Sequence, residues 1–322
     1  MTDTSSSQIR RLTPADAPAV VACFRRAYGN SYANALFYDA AALGAAMDRG
    51  QIRSVGAFRP AADAAEPALL GHMAMHLANP DARYIELGNT VVDAAARGEG
   101  LAWQIGAQLS LWCRELGYTG FLHYPTTDHH IMQRQSVRSG YETGLMLSYI
   151  PADTDAGFNQ SALRGAATIV FEPYMNEQPE LAAYLPERFA SLCRSFATDC
   201  GISRVWHSGT GTRHATSVLA TSRNERRGLE RLSVQRCGQD YERALYQLRD
   251  SDLPCRQLDL DMSSPDIEAA TERAVAAGFR FCGWLPGYTA GDTLRLQHVD
   301  ETVTDMTPNV VNPVAQAILA GI

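Results

Sequence analysis

Apolar residues recur along this chain with the periods of both strands and helices, which predicts a mixed α/β protein. Thr13-Pro14 is a typical helix start and opens a predicted helix that ends near Tyr28. A second helix is predicted over 39–48. Apolar segments bounded by turn residues predict strands over 9–12, 52–58, 69–77 and 84–92.

The most regular helical pattern follows these strands. Leu101, Ile105 and Leu109 recur at helical spacing, and Gly117 ends the helix. Beyond it, the pattern predicts strand 119–124, helix 128–139, strand 145–150 and a strand over 166–171 that returns to pair with its predecessor.

The C-terminal half predicts a second set of strands and helices. Its helices are predicted over 185–200, 239–249 and 265–277, and its strands over 204–207, 229–234, 256–260, 279–285 and 293–298. Both halves contain a glycine-aromatic step into a strand, at Gly140-Tyr141 and at Gly278-Phe279. Such an echo is expected of two related αβ modules, and equally of two unrelated α+β domains that share a helix-to-strand turn.

Composition narrows the class of protein. The chain has 322 residues, of which 46% are hydrophobic, which suits two globular domains. Acidic residues outnumber basic ones in both halves, so a nucleic-acid partner is not expected. The absence of a long apolar run or signal-peptide pattern, and the odd number of cysteines, predict a reduced cytoplasmic protein without a membrane partner.

One segment carries recognisable chemistry. A predicted strand ending at Val91-Val92 feeds a short turn, Arg97-Gly98-Glu99-Gly100, which opens the helix at Leu101-Ala102. Main-chain N–H groups lack partners at a helix start, the helix dipole is positive there, and the glycines let an anion approach the backbone. The segment therefore predicts a pyrophosphate cradle, to which Arg97 adds a positive charge.

Two familiar phosphate motifs do not fit this segment. A P-loop requires lysine, and all 28 basic residues of the chain are arginines. The dinucleotide fingerprint requires a third glycine, where this chain has Trp103.

The segment resembles the acyl-CoA loop of the GNAT superfamily of N-acetyltransferases, whose pattern is Gln/Arg-x-x-Gly-x-Gly/Ala. Arg97, Gly100 and Ala102 match it, and the order of predicted elements over 8–175 is similar to that family. The resemblance implies a GNAT acyl-CoA-binding fold with a mixed sheet over 1–175, followed by a degenerate GNAT-like module over 176–322.

The resemblance also implies a cofactor and a reaction. Acetyl-CoA or another short acyl-CoA would bind with its pantetheine along Val91 and Val92 and its pyrophosphate on the loop; no metal is implied. The loop residues concerned are Arg97, Gly98, Glu99, Gly100, Leu101 and Ala102. An N–H near Val92 would polarise the thioester carbonyl, and a small-molecule amine would attack it directly.

Two residues are candidates for proton transfer. Glu86 lies on the strand before the loop, where related enzymes often place a carboxylate base; otherwise it pairs with an arginine or faces solvent. His129 follows a strand end and is a candidate base, acid or substrate ligand, or else a helix-capping or surface residue. Where many relatives carry a tyrosine acid, this chain has Ser136.

Further residues are candidates with weaker signals. Tyr32 and Tyr124 are candidate substrate contacts, since they fall in segments that border the site in the family. His72 and His76 share one strand face but have no third ligand at matching spacing, so a metal site is not predicted. Asp259 belongs to a group of acidic residues that would form either an acidic wall or a solvated turn.

These observations leave two functions of different class open. The first is an acetyl-CoA-dependent N-acyltransferase. The second is an acyl-CoA-binding regulatory protein without turnover, suggested by Ser136 at the usual position of the acid. Another acyl-CoA reaction, such as decarboxylation, is a third reading. Both a monomer and a homodimer are compatible with the sequence.

Overall fold

The computed structural model describes residues 7–32, 34–59, 67–76, 82–127, 130–148, 166–174, 180–209, 211, 214–300 and 308–321. They form two compact units, the first within 1–80 and 85–118 and the second within 81–84 and 119–322. The mixed α/β architecture that the sequence predicts is confirmed. The predicted domain boundary at residue 175 stays a prediction.

The first unit is an antiparallel sheet with helices on both faces. Its strands, in the order β1-β2-β3-β4, are β1 (Gln8–Arg11), β2 (Ile52–Arg59), β3 (Ala68–His76) and β4 (Ile85–Val92). Its helices are α1 (Ala17–Tyr28), α2 (Ala40–Asp48) and α3 (Leu101–Glu115). All seven correspond to predicted elements.

Alternation along β3 separates the two faces of this sheet. Gly71 lies beneath α3, where an added Cβ would come within 2.8 Å of Ile105 Cδ1, so the helix packs close to the strand. His72, on the opposite face, is fully buried and contacts the rings of Phe24 and Phe37. Period-two alternation therefore places a histidine inside an aromatic cluster.

Strand β4 contains one residue more than its partner can pair. The register runs from Val91 opposite His72 to Gly88 opposite Ala74, so Asn89 and its neighbour form a bulge. Asn89 has φ +51°, and among the described residues it is the one non-glycine residue with positive φ. The bulge turns the groups of Asn89 away from the regular ladder.

The second unit holds a larger sheet. Its strands are β5 (Gly120–His123), β6 (Tyr141–Met146), β7 (Ala167–Pro173), β8 (Leu181–Leu185), β9 (Arg204–Ser208), β10 (Val218–Asn224), β11 (Leu229–Arg236), β12 (Cys255–Asp261), β13 (Arg280–Leu285) and β14 (Thr293–Val299). Their order is β5-β7-β6-β13-β14-β12-β11-β10, antiparallel except for the parallel pair β11/β12. Strands β8 and β9 form a separate parallel pair.

The described residues of this unit also form five helices. They are α4 (His130–Ser136), α5 (Glu187–Asp199), α6 (Tyr241–Arg249), α7 (Ile267–Ala276) and α8 (Pro313–Ala320). As predicted, β7 returns antiparallel to β6, but β6 covers 141–146 rather than 145–150. Strands β8 and β10 and helix α8 were not predicted; β10 is largely exposed and polar, so no apolar alternation marks it.

The structure also shows the state of the cysteines and the hydropathy of the helices. All seven cysteines are buried and free. No helix in the described ranges combines the length and the hydropathy needed to cross a bilayer.

A fully buried ion pair joins β9 to the loop before β14. Asp292 accepts hydrogen bonds from Arg204 Nε at 2.8 Å and Nη2 at 3.1 Å, and also from Trp284 Nε1 and the N–H of Gly287. Arg204→Met would leave a buried carboxylate without its charge partner, so we expect the unfolding free energy in urea to fall by about 3–5 kcal/mol. The double variant Arg204→Met/Asp292→Asn should recover part of this loss, and a larger loss in the double variant would contradict the assignment.

Candidate functional site

The segment after β4 is anchored before it reaches the glycines. Asp93 Oδ1 accepts a hydrogen bond from the N–H of Ala95 at 3.1 Å and opens a 3-10 turn over Ala94–Ala96. Arg26 Nε donates to Asp93 Oδ2 at 2.7 Å, and this bond lowers the pKa of Asp93. The carboxylate thus ties the start of the loop to α1.

The glycine turn itself is open to solvent. Gly98 and Gly100 have φ of +88° and +76°, and a Cβ built on either would meet nothing within 4 Å. Glycine is therefore favoured here by the left-handed backbone and not by packing. Arg59 pairs with Glu99, the one acidic side chain of the turn, and so offsets its charge.

The turn opens directly into α3, a helix of 15 residues. The first N–H groups of a helix have no acceptor within the helix, and the dipole makes this end positive. Residues 97–100 are exposed, so an anion can reach the main chain there. The geometry is that of an anion-binding helix start.

A second group of contacts surrounds the bulge in β4. His72 Nδ1 donates to the carbonyl oxygen of Asn89 at 2.9 Å, and the hydroxyl of Ser54 donates to His72 Nε2 at 3.0 Å. A carbonyl only accepts, so these partners define the tautomer with hydrogen on Nδ1. Burial lowers the pKa of His72 to about 4, and the ring is neutral near pH 7. His72 therefore supports the bulge and does not titrate in the working range.

His76 contacts the same asparagine from its side-chain end. His76 Nε2 donates to Asn89 Oδ1, and Asn89 Nδ2 donates to the hydroxyl oxygen of Tyr32 at 2.7 Å. In the neutral ring this leaves the proton-accepting lone pair on Nδ1. Glu86 is the register partner of His76, so the two side chains leave the sheet on one face with Cβ atoms about 4.5–5.5 Å apart.

The structure brings some predicted site residues together and not others. Glu86, Tyr32 and the loop after Val92 all belong to the first unit, and the first two share one face of β3 and β4. Tyr124 belongs to the second unit, where it packs against that unit's core. His129 lies outside the described residues.

Two residues of this site were missed as catalytic or positioning candidates. His76 was considered only as a metal ligand, and the described residues contain no group of three or more histidines, cysteines or acidic residues able to hold a metal. Asn89 was not considered. Its signal in the sequence is an asparagine inside an otherwise strand-like segment, where asparagine is rare.

Comparisons with known proteins gave structural similarities alone. No protein-family model and no curated protein matches the chain. The chain is similar to a PaiA N-acetyltransferase from Thermoplasma acidophilum solved with coenzyme A, at 14% identity over 52% of this chain and 99% of that one, with a TM-score of 0.36.

Two further solved structures are similar to the chain at comparable identity and TM-score. A ribosomal-protein-alanine N-acetyltransferase from Brucella melitensis is 18% identical over 52% of this chain and 99% of its own, with a TM-score of 0.40. The GNAT family N-acetyltransferase YhbS from Escherichia coli, solved with CoA, is 17% identical over 54% and 84%, with a TM-score of 0.35. All three are described as N-acetyltransferases, and YhbS is described as a member of the GNAT family. The similarities are distant and carry no activity over to this chain, and the GNAT-like second module stays a prediction.

Burial of His72 makes the stability of the protein depend on pH. Its folded pKa of about 4 lies below the ordinary value of 6.5, so the unfolded chain binds this proton more readily. The resulting stability is present above pH 6.5 and is lost as the pH falls towards 4, by about 2–3 kcal/mol at pH 4.5. Urea unfolding of the wild type and of His72→Gln at pH 7 and pH 4.5 measures this. Equal losses in both proteins would contradict the assignment.

Proposed function

We propose that this chain is an acyl-CoA-dependent N-acyltransferase, which moves an acetyl or other short acyl group to a small-molecule amine by direct attack. The observation that carries the proposal is an exposed, left-handed glycine turn at the start of a long helix, directly after a bulged strand. Anion binding at such a turn suits the pyrophosphate of CoA.

The residues present fit the acyl donor. Main-chain N–H groups over 98–102 and the guanidinium of Arg97 would hold the pyrophosphate, and Val91 and Val92 would align the pantetheine through their backbone. Bound acyl-CoA supplies a thioester as the acyl donor. No side chain at Gly98 or Gly100 obstructs the approach.

On the sheet face that carries Glu86 and His76, a side chain would accept the proton of the attacking amine. An attacking amine must be neutral, so a base has to accept its proton. The carboxylate of Glu86 and Nδ1 of His76 are both suited, because Asn89 fixes the histidine ring from the other side. His129 stays a further predicted candidate for this role.

An acyl-CoA-binding protein without turnover is the second candidate function. It is favoured by Ser136, which stands where many relatives place the tyrosine acid and is itself buried. A thiol-release assay with acetyl-CoA and a panel of primary amines separates the two functions. Amine-dependent thiol release is expected; CoA binding without release for any amine would favour the regulatory function.

Gly100→Asp tests the anion site. A carboxylate at the helix start would repel the pyrophosphate, so we expect CoA affinity by calorimetry to fall about 10- to 100-fold. Gly117→Asp is the matched control, because Gly117 also has positive φ and open space but lies beyond the other end of α3. Equal CoA affinity in the two variants would refute the loop assignment.

Glu86→Gln tests the proton acceptor. We expect kcat to fall about 100-fold or more while CoA affinity changes little, because a base acts on the amine and not on the pyrophosphate. Glu115→Gln, an exposed glutamate paired with Arg11 at the end of α3, is the control and should leave kcat unchanged.

His76→Gln distinguishes the two candidate bases. The variant that abolishes the acidic limb of the kcat/KM profile against pH identifies the base. If neither Glu86→Gln nor His76→Gln changes kcat or the profile, this face takes no part in proton transfer.

A further inference from the structure

The central strands of the second unit carry a buried polar face. On β11, β12 and β14 the aliphatic residues alternate with polar ones and pack into the core with the helices of the unit. The opposite face carries Arg231, Gln257, Asp259, Thr293, Arg295 and Gln297. Polar side chains at buried positions need hydrogen-bond partners, so a donor without one is informative.

Arg295 and Asp259 form the centre of this face. Arg295 Nε donates to Asp259 Oδ1 at 2.6 Å and Nη2 donates to Oδ2 at 2.7 Å, and the two residues are 0% and 4% exposed. This bidentate pair uses one edge of the guanidinium. Nη1 of Arg295 is also buried and has no hydrogen-bond partner among the described residues.

Arg231 adds a second guanidinium beside the pair. Its Nε and Nη2 donate to Gln257 Oε1 at 3.0 and 2.7 Å, and its Nη1 donates to the hydroxyl oxygen of Tyr288 at 3.3 Å. Its Nε lies 3.7 Å from Asp259 Oδ2. Gln257 Nε2 is buried and, like Arg295 Nη1, has no partner in the part of the chain that the structure describes.

The cluster therefore has more donors and more positive charge than it can satisfy. Two guanidinium groups share the single carboxylate of Asp259. The side chain of Gln297 pairs away from the cluster: its oxygen accepts from the N–H of Leu147 and its nitrogen donates to the carbonyl of Leu145. Unpaired buried donors are unfavourable, and the second guanidinium has no carboxylate of its own. What is missing is an anion with acceptor oxygens.

We propose that this face of the second unit binds the carboxylate of a small molecule, whose two oxygens accept from Arg295 Nη1 and Gln257 Nε2. One added negative charge balances the excess, and a planar carboxylate matches the edge of a guanidinium. The ring of Tyr288 lies 5.2 Å from Arg295 Cζ, and Tyr124 interacts electrostatically with the same guanidinium. These rings favour a carboxylate that carries an aromatic or apolar group.

A ligand would enter from the half-buried side of the cluster, and the Tyr288 side chain would have to move aside, because both unpaired donors are buried. The Arg231 side chain is 22% exposed, and Tyr288 is also partly exposed, whereas Arg295 and Gln257 are fully buried. A ligand carboxylate would replace the Tyr288 hydroxyl as a partner near Arg231 and continue to the unpaired donors. The proposal does not depend on acyl transfer by the first unit.

Calorimetric titration of the full chain with sodium benzoate tests the proposal. We expect one benzoate to bind, and neutral benzamide, which has nearly the same shape, to bind about tenfold more weakly or not at all. Inorganic phosphate is the third probe. Equal binding of benzamide would reduce the site to an aromatic contact, and phosphate binding as tight as benzoate would overturn the assignment to a carboxylate.

Gln257→Glu places a carboxylate inside the cluster. The new carboxylate should pair with the guanidinium groups in place of the ligand. Benzoate binding should then weaken about tenfold or more. Gln235→Glu, an exposed change on the same strand as Arg231, is the matched control and should bind benzoate like the wild type. Unchanged benzoate affinity in Gln257→Glu would refute the site. Should that variant fail to fold, Arg231→Met removes the second guanidinium at the exposed rim. Its benzoate affinity, compared with that of the wild type, then tests the site.

Discussion

The left-handed backbone of Asn89 is the constraint on which the site of the first unit depends. A non-glycine residue in this conformation costs about 1–3 kcal/mol and persists only where its surroundings hold it. Here His72 binds its carbonyl, His76 binds its side chain, and Tyr28 donates to the carbonyl of Thr90 at 3.4 Å. The same bonds that hold the bulge orient the His76 ring, so the backbone of Asn89 and the ring that we propose as a candidate base depend on one group of contacts.

The loop and the helix that follows could be predicted from the sequence because their signals are local. Two glycines, a preceding strand and a helical repeat from Leu101 are enough to predict a glycine turn that opens a helix at Leu101, whereas anion binding there stays a prediction. The bulge could not be predicted in this way. Its position depends on how β4 pairs with β3, and the contacts around it join residues that are distant in sequence, such as His72 and Asn89.

In the second unit the alternation predicted most of the strands, β8 and β10 excepted, but not the role of their polar face. Asp259 was expected to belong either to an acidic wall or to a solvated turn, and both expectations are wrong because it is buried against Arg295. Helix α8 escaped prediction because its anchor is non-local: Glu142 on β6 accepts from the N–H of Ala315 at 2.8 Å. Local patterns give the elements, whereas partners of buried polar groups come from the tertiary structure.

Two buried arginine–aspartate pairs in this unit require arginine and not lysine. Each pair is bidentate, which a lysine cannot reproduce. In the first pair, Nη1 of Arg204 donates to the carbonyl of Ser203 at 2.8 Å, so the guanidinium is bonded at all three nitrogens.

In the second pair, Arg295 has the same contact with its aspartate and equal burial, yet its Nη1 has no partner among the described residues. Each unmade buried hydrogen bond costs about 1–3 kcal/mol, so the unpaired Nη1 of Arg295 is unfavourable without a further partner, whereas Arg204 is saturated. The carboxylate that we propose as a ligand would supply a partner at this open edge of Arg295, next to the partly exposed Arg231, which shares the carboxylate of Asp259.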